Sequence, residues 1–566
     1  MKEPEAEARL GTGARPLAGL TVAEIGGEIA TRYCGRLLAV LGASVVRAPG
    51  GEGGGAAPDP LFAAWLDEGK TIVATAGEAL DVLAEGPPAG RLVIAGQTRE
   101  AVAGVEARLA TLAEPPALLA ITWFDPRGPY APWRANDPIM QAMSGVAFPF
   151  GPIEGPPVLS QGYAPQMVGG LTGFIAALAA LIPAQPTVRR IETNIFEAAL
   201  CFMETGSVAA AALGLESHRL GVNRFVPTCP SGVFRSRDGF IGVTALTPAQ
   251  WRSLAELIGR PDMGRDPRYA SSIERLMAAD ELDAVLIPTF LEHPTDWWVA
   301  EGDKRRIPIT PAPPPRELPD LPHWRERGSF APVASSRAEG PTLPYRFVFE
   351  GERSGRPSGG AAGPLAGIRV ADFSMGWAGP LGARLLADLG ADVLKVESTG
   401  KPDWWRGWEV VPDADPPPTE LPRNFMAVNR NKRGLDLDLA SPSGLAAAEA
   451  IIARSDVVID NQGPGVMDKL GLGPEEQRRL NPRTVSLSMP PFGRTGPLAG
   501  LRAYGSTVEQ ASGMPFVNGH DDWDPCQQHV AYGDPVAGLY AAAAALVGLY
   551  ARERLGGAEI DLCQVE

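Results

Sequence analysis

The strongest constraint on this 566-residue chain is a repetition inside it. Thirty residues, Pro16 to Val45 (PLAGLTVAEIGGEIATRYCGRLLAVLGASV), recur without a gap as Pro364 to Val393 (PLAGIRVADFSMGWAGPLGARLLADLGADV), and fifteen of the thirty positions are identical. The offset of 348 residues is far longer than the ~20–50 residues of a solenoid repeat, so the chain holds two large units. Later landmarks keep the same order. Gly173 to Leu181 (GFIAALAAL) pairs with Gly538 to Leu546 (GLYAAAAAL), and IETNIFE ending at Glu197 pairs with IDLCQVE ending at Glu566. Only the first copy carries residues beyond that landmark, and they lead into FEGERSGRPSGGAAG, whose Gly, Ser and charge read as a linker.

Within each copy the pattern is α/β. Gly367 to Phe373 is a short β-branched run followed by a glycine-containing turn, GPLGARLLADLG has helical apolar spacing, and ADVLKVE is strand-like again. This βαβ alternation, repeated at Ser443 to Ala453, Asp456 to Ile459 and Val485 to Met489, builds doubly wound sheets. An Ala-rich helix is expected over Val536 to Arg552, buried rather than membrane-spanning, because no apolar run reaches ~20 residues.

Composition narrows the partners. With 51 basic and 66 acidic residues, a net charge of −15 and no basic run, the chain lacks the footprint of a nucleic-acid binder. Five scattered cysteines (Cys34, Cys201, Cys229, Cys526, Cys563) without CxxC spacing argue against a disulfide framework or a zinc site, and suit a reducing cytoplasm. The first residues, MKEPEAEARLGTGARP, carry acidic groups where a signal peptide needs an apolar core. The five histidines are too dispersed for a metal cluster, Ala64 breaks a P-loop ahead of Gly69-Lys70-Thr71, and no GxSxG elbow occurs.

Three places carry chemistry. Asp534, before Pro535 and a long apolar run, reads as an N-cap with proline at the first helical position; a carboxylate at a helix start is also a competent acyl nucleophile. Aligning Gly538 on Gly173 puts Asp534 on Gly169, so the first copy keeps the helix without the carboxylate. Asn461 follows a strand in DNQGPG and reads equally as turn chemistry, with Gly96 in its place in copy 1. Lys432 and Arg433 in NRNKRGLDLDL are a solvated basic turn or a phosphate-steering pair, and the matching LDEGKTIVAT holds fewer cations.

These residues resemble a known family. PLAGIRVADFSMGWAGPLGARLLADLGADVLKVES, NRNKRGLDLDL, DVVIDNQGPGVMDKLGLG, NPRTVSLSMPPFGRTGP and GDPVAG are similar, in order, to the motifs of the family III CoA-transferases, the CaiB/BaiF group. The likeness runs through Pro364 to Glu566 and, degraded, from Pro16 to about Arg346. It implies a Rossmann-like large domain, a smaller domain, and CoA held where one subunit's large domain meets its partner's small domain. For this chain the expectation is an α/β fused pseudo-dimer: a degenerate large domain at 16–200, a small α+β domain and return segment at 201–350, a linker at 351–363, and a second large domain at 364–566. Copy 1 would lend Pro227 to Arg346 to the site of copy 2, with Ser231 to Gly239 bordering it.

The resemblance makes Asp534 the nucleophile and places CoA against Trp377, Ala378, Leu437, Asn461, Lys469 and Arg502, with Lys432 and Arg433 as further cations. Trp377 stands where many members have Gln, and Ser398 where some have Arg. The implied reaction moves CoA from an acyl-CoA to a carboxylic acid through an aspartyl-CoA thioester, in the cytoplasm, with coenzyme A as substrate, no permanently bound cofactor, no metal, and no nucleic-acid or membrane partner. A further homo-oligomer stays open. Two alternatives stand beside it: an α-methylacyl-CoA racemase-like isomerase, although Tyr504 and Asn136 occupy the place of that enzyme's histidine, and a catalytically inactive CoA-binding protein.

Overall fold

Strands Thr21–Ile25, Ser44–Ala48, Arg91–Gln97 and Ala117–Thr122 are apolar on both faces because both faces are covered. Val22, Val45, Leu92, Ile94, Leu119 and Ile121 enter one apolar cluster. The alternate residues Ala23, Val46, Val93, Ala95, Leu118 and Ala120 fill another. The computed structural model describes residues 14–49, 58–85, 90–183, 188–214, 218–334, 336–361, 363–407, 422–528 and 532–566. The acidic N-terminal segment up to residue 13, position 362 of the linker, and His529 lie outside them.

These four strands form a six-stranded parallel sheet with Thr71–Ile72 at one edge and Arg190–Asn194 at the other. The second half repeats the order. Arg433–Asp436, Asp392–Glu397, Arg369–Asp372, Val457–Asp460, Val485–Ser488 and Ala558–Leu562 lie side by side and parallel. A seventh strand, Tyr345–Phe349, closes this sheet antiparallel to Ala558–Leu562, with Phe347 opposite Ile560. Residues on both sides of the linker thus share one sheet.

The halves meet through their longest helices, Ala164–Leu181 and Gly533–Leu555. Each also packs on the first helix of its own half, Ile29–Val40 and Ala378–Asp388 respectively. In the second half this approach uses glycine: a Cβ on Gly538 would lie 2.9 Å from the Ala378 carbonyl oxygen, and one on Gly382 would lie 2.7 Å from Ala541 Cβ. The Gly533–Leu555 helix extends the expected span at both ends. By length and composition both long helices could cross a membrane, yet most of each lies inside the protein between the two sheets.

Beyond the first sheet, helix Glu204–Leu213 crosses to the second half, where Glu204 pairs with Arg384. An antiparallel sheet of Ser231–Arg235, Phe240–Thr244 and Ile309–Pro311 follows, backed by helices Pro248–Leu257, Ala279–Phe290 and Thr295–Lys304 around Trp251, Phe290 and Trp298. This small sheet sits on helix Gly505–Ala511 of the second half. Thr244 Oγ1 lies 3.3 Å from Ser506 Oγ, and Ser231 Oγ 3.2 Å from Gln527 Oε1.

Candidate active site

Asp534 is the second residue of helix Gly533–Leu555, which begins after Tyr532. It therefore does not cap that helix, contrary to the N-cap reading of the sequence. Its carboxylate instead faces the backbone N–H groups of Ala378 and Gly505, the first residues of helices Ala378–Asp388 and Gly505–Ala511, which favour its charged form. Two helix starts aim partial positive charge at the same carboxylate. Lost hydration still dominates, and it pushes the Asp534 pKa up to about 6. The group is ionised near neutrality but poorly solvated, as a nucleophile should be.

Gly505 leaves the room. A side chain there would collide with the Asp534 carboxylate. Ala378 ends a loop, residues 373–377, that Asn461 ties down. Asn461 Oδ1 accepts the Met375 N–H at 2.8 Å and its Nδ2 donates to the Met375 carbonyl at 2.7 Å. Asn461 thus shapes the loop that presents the Ala378 N–H. Trp377, buried beside it, packs against Trp405 with ring centres 5.3 Å apart and the planes tilted by 48°, and its indole N–H meets no protein acceptor among the described residues.

The basic turn departs from expectation. Lys432 faces inward: its ammonium donates to Asp372 at 2.8 Å, to the Pro380 carbonyl at 2.9 Å and to Asn429 Oδ1 at 2.9 Å. All three of its protons are used, so none is left for a phosphate. Burial draws its pKa down to about 8. Burial would raise Asp372, but Lys432 and Lys395 outweigh it and hold its pKa low. Arg433 forms an exposed pair with Asp392 at 2.6 Å, and Leu437 packs on an apolar cluster while its N–H bonds the Glu397 carbonyl. Lys469, ending helix Val466–Lys469, and Arg502, two residues before Tyr504, are exposed and make no ion pair among the described residues.

Sequence reasoning missed Gly505, Lys395 and Asp403. Lys395 donates to the Ser374 carbonyl and lies 3.2 Å from Asp403, which accepts the Gly376 N–H, so this buried pair fixes the same loop from below. Gly505 had a signal: matching FGRTGPLAGLRA to FDPRGPYAPWRA sets Gly505 on Asp137, the inverse of Asp534 on Gly169. Among the described residues, no three His, Cys, Asp or Glu side chains gather as metal ligands.

The profile of CoA-transferase family III matches residues 106–361 and 365–566, most of the chain. The chain belongs to this family. A probable CoA-transferase of Mycobacterium tuberculosis, Rv1866, is 30% identical over 490 residues, covering 79% of this chain and 60% of that protein. Mouse succinyl-CoA:glutarate CoA-transferase is 34% identical over 194 residues, 34% of this chain and 43% of that one. The succinate–glutarate CoA-transferase of Agrobacterium fabrum is 36% identical over 206 residues, 36% and 51% of the two chains. This member of CoA-transferase family III thus spans 43% to 60% of the length of these relatives. Among solved structures, a CaiB/BaiF family protein from Brucella suis aligns with 57% of this chain and 93% of its own, at 21% identity and a TM-score of 0.47.

Proposed function

We propose that this chain transfers CoA between an acyl-CoA and a carboxylic acid, with Asp534 as the covalent nucleophile. The observation that carries the reading is the Asp534 carboxylate, desolvated yet held by the N–H groups of Ala378 and Gly505. An Asp534 oxygen attacks the thioester carbonyl carbon, the C–S bond breaks, and an aspartyl mixed anhydride and CoA thiolate form. The thiolate then attacks the Asp534 acyl carbon, the anhydride bond breaks, and the first acid leaves as carboxylate. An aspartyl-CoA thioester remains, and an incoming carboxylate runs the same steps in reverse. Each tetrahedral intermediate builds negative charge beside the two N–H donors, which are already in place. Trp377, Leu437, Lys469 and Arg502 are left to contact CoA, while Ala378 and Asn461 act through the backbone loop. The named relatives pair CoA thioesters with small acids such as glutarate, which supports a carboxylate acceptor.

Hydroxylamine added with acyl-CoA should trap a hydroxamate at Asp534, located by peptide mass. The rate should rise with pH through an apparent pKa of about 6, because only the ionised carboxylate attacks. Exchange of labelled acid at full rate in Asp534→Ala would end this reading. Stability carries the opposite sign. Between the ordinary aspartate range and pH 6 the folded protein binds the extra proton, so stability falls as pH rises through that window and Asp534→Asn removes the fall.

A further inference from the structure

In the second half, the face around Phe492 is covered by the segment that leads from the small sheet to Tyr345–Phe349. Trp324, on the short helix Pro322–Arg327, is buried in one cluster with Phe492, and Leu498 and Leu501 pack on that cluster. His323 Nδ1 accepts the Leu498 N–H at 3.2 Å. One turn after Trp324, Arg327 donates to Glu566 at 2.6 Å, to Asp561 at 3.0 Å and to Thr495 Oγ1 at 3.0 Å. A Cβ on Gly496 would lie 2.6 Å from His323 Nδ1, so this close seat needs a glycine.

The first half keeps the same face and leaves it open. The match of FDPRGPYAPWRA to FGRTGPLAGLRA sets Phe124 on Phe492, Gly128 on Gly496, Tyr130 on Leu498 and Trp133 on Leu501. The match of IETNIFE to IDLCQVE sets Glu192 and Glu197 on Asp561 and Glu566. At this place lies a cavity of about 190 Å³ whose lining includes Thr98, Trp123, Phe124, Trp133 and Arg134. Trp133 is 53% exposed, and the exposed Tyr130 ring lies 4.7 Å from it. Glu192 is shared between Arg127 and Arg190, whereas Glu197 is exposed and makes no ion pair among the described residues. The contrast continues beyond the cavity. Thr507 is buried and Phe516 meets Phe240 edge-on at 5.5 Å, but their counterparts Ile139 and Phe148 are 40% and 51% exposed.

We propose that the first half's cavity is a docking seat for a protein segment of the build that the second half already holds: a short helix presenting a tryptophan and, three residues on, an arginine. The indole enters between Phe124 and Trp133, and the guanidinium meets the unpaired Glu197. The features the two halves share here, a phenylalanine, a glycine and two carboxylates, are the ones that Trp324, His323 and Arg327 use in the second half. Exposed aromatic surface rimmed by an unpaired charge is the composition of an interface rather than of a free surface. The inference stands apart from the chemistry at Asp534 and does not depend on it.

The probe is a synthetic peptide of residues 314–329 of this chain, which carries Trp324 and Arg327, labelled with fluorescein and titrated into the full chain by anisotropy. Saturable binding is expected. Trp324→Ala in the peptide should weaken it by at least about tenfold. Arg327→Ala in the peptide and Glu197→Gln in the protein should each weaken it about fivefold, and together no more than either alone, because they remove the two ends of one pair. With p-benzoylphenylalanine in place of Trp324, irradiation should attach the peptide within residues 122–134, located by peptide mass. Absence of saturation up to about 1 mM peptide, affinity indifferent to Glu197→Gln, or attachment within residues 491–502 overturns the assignment. Reversible self-association of the full chain that Glu197→Arg abolishes, followed by sedimentation velocity, also overturns it, since the seat then belongs to a second copy.

Discussion

The two halves answer different questions about the same fold. What they share is support. Lys70 in the first half bonds Glu24 at 2.6 Å and the Arg32 carbonyl at 2.8 Å, and Lys432 in the second bonds Asp372 and the Pro380 carbonyl at the matching positions. Arg36 donates to the Trp65 carbonyl as Arg384 does to that of Ala427. What differs lies at the proposed reaction centre, where carboxylate and glycine have exchanged places in the alignment. In the alignment the first half has Asp137 and Gly169 where the second has Gly505 and Asp534; in the structure Gly505 lies against the Asp534 carboxylate, whereas Gly169 lies against Ile195. Asp137 is buried and spent on Gln166, accepting its N–H at 3.2 Å and its amide at 2.6 Å. Likewise Thr31 lies against Gly96 where Gly379 lies against Asn461. Packed volume is kept between Thr31–Gly96 and Gly379–Asn461, and the working rule is that a residue present in both halves serves structure and one exchanged between them serves the proposed reaction.

Writing the first half's arrangement into the second tests this most severely. Asp534→Gly with Gly505→Asp should keep the fold, judged by circular dichroism and a single urea transition, and lower exchange on the order of a thousandfold or more. Removing the shared strut should instead cost stability in either half. Lys432→Met and Lys70→Met each take the nearest cation from a buried carboxylate, leaving Asp372 with Lys395 and Glu24 with Arg47, and should each lower unfolding free energy by about 3 kcal/mol. CoA affinity lost in Lys432→Met without loss of stability would return Lys432 to the ligand set. Asn461→Gly removes two hydrogen bonds and should cost about 1–3 kcal/mol in urea melts together with activity. Smallest is the effect of neutralising Lys469 and Arg502 together, a weakening of CoA binding by about tenfold that shrinks as salt rises, measured by titration at two ionic strengths.

Much of this was legible in the residues. The strands Arg369–Asp372 and Val485–Ser488 and the helix Pro442–Ile452 follow the apolar spacing closely, because burial on both faces leaves few polar positions. Asp534 was legible through its absence from the first half. The inward turn of Lys432 was not, because a lysine beside Arg and Asn reads as a solvated turn, and only the sheet brings it over Asp372 across 60 residues of sequence. For the same reason the hydrogen bond between Gln250 and Tyr504, 254 residues apart in the chain, leaves no trace in local pattern. Tyr345–Phe349 joining the second sheet was hidden too, since strand pairing is set by topology rather than composition.

That last strand has a practical consequence for anyone dividing the molecule. The sequence invites a cut in the linker, and the natural fragment to express is the second unit alone. Such a fragment would begin after Tyr345–Phe349 and leave Ala558–Leu562 as a bare rim, its N–H and C=O groups open to any passing strand. It would precipitate or pair with itself. A boundary placed ahead of Tyr345 carries the chain's own cover along, and so the seam between the two units in the folded protein lies upstream of the seam in the gene.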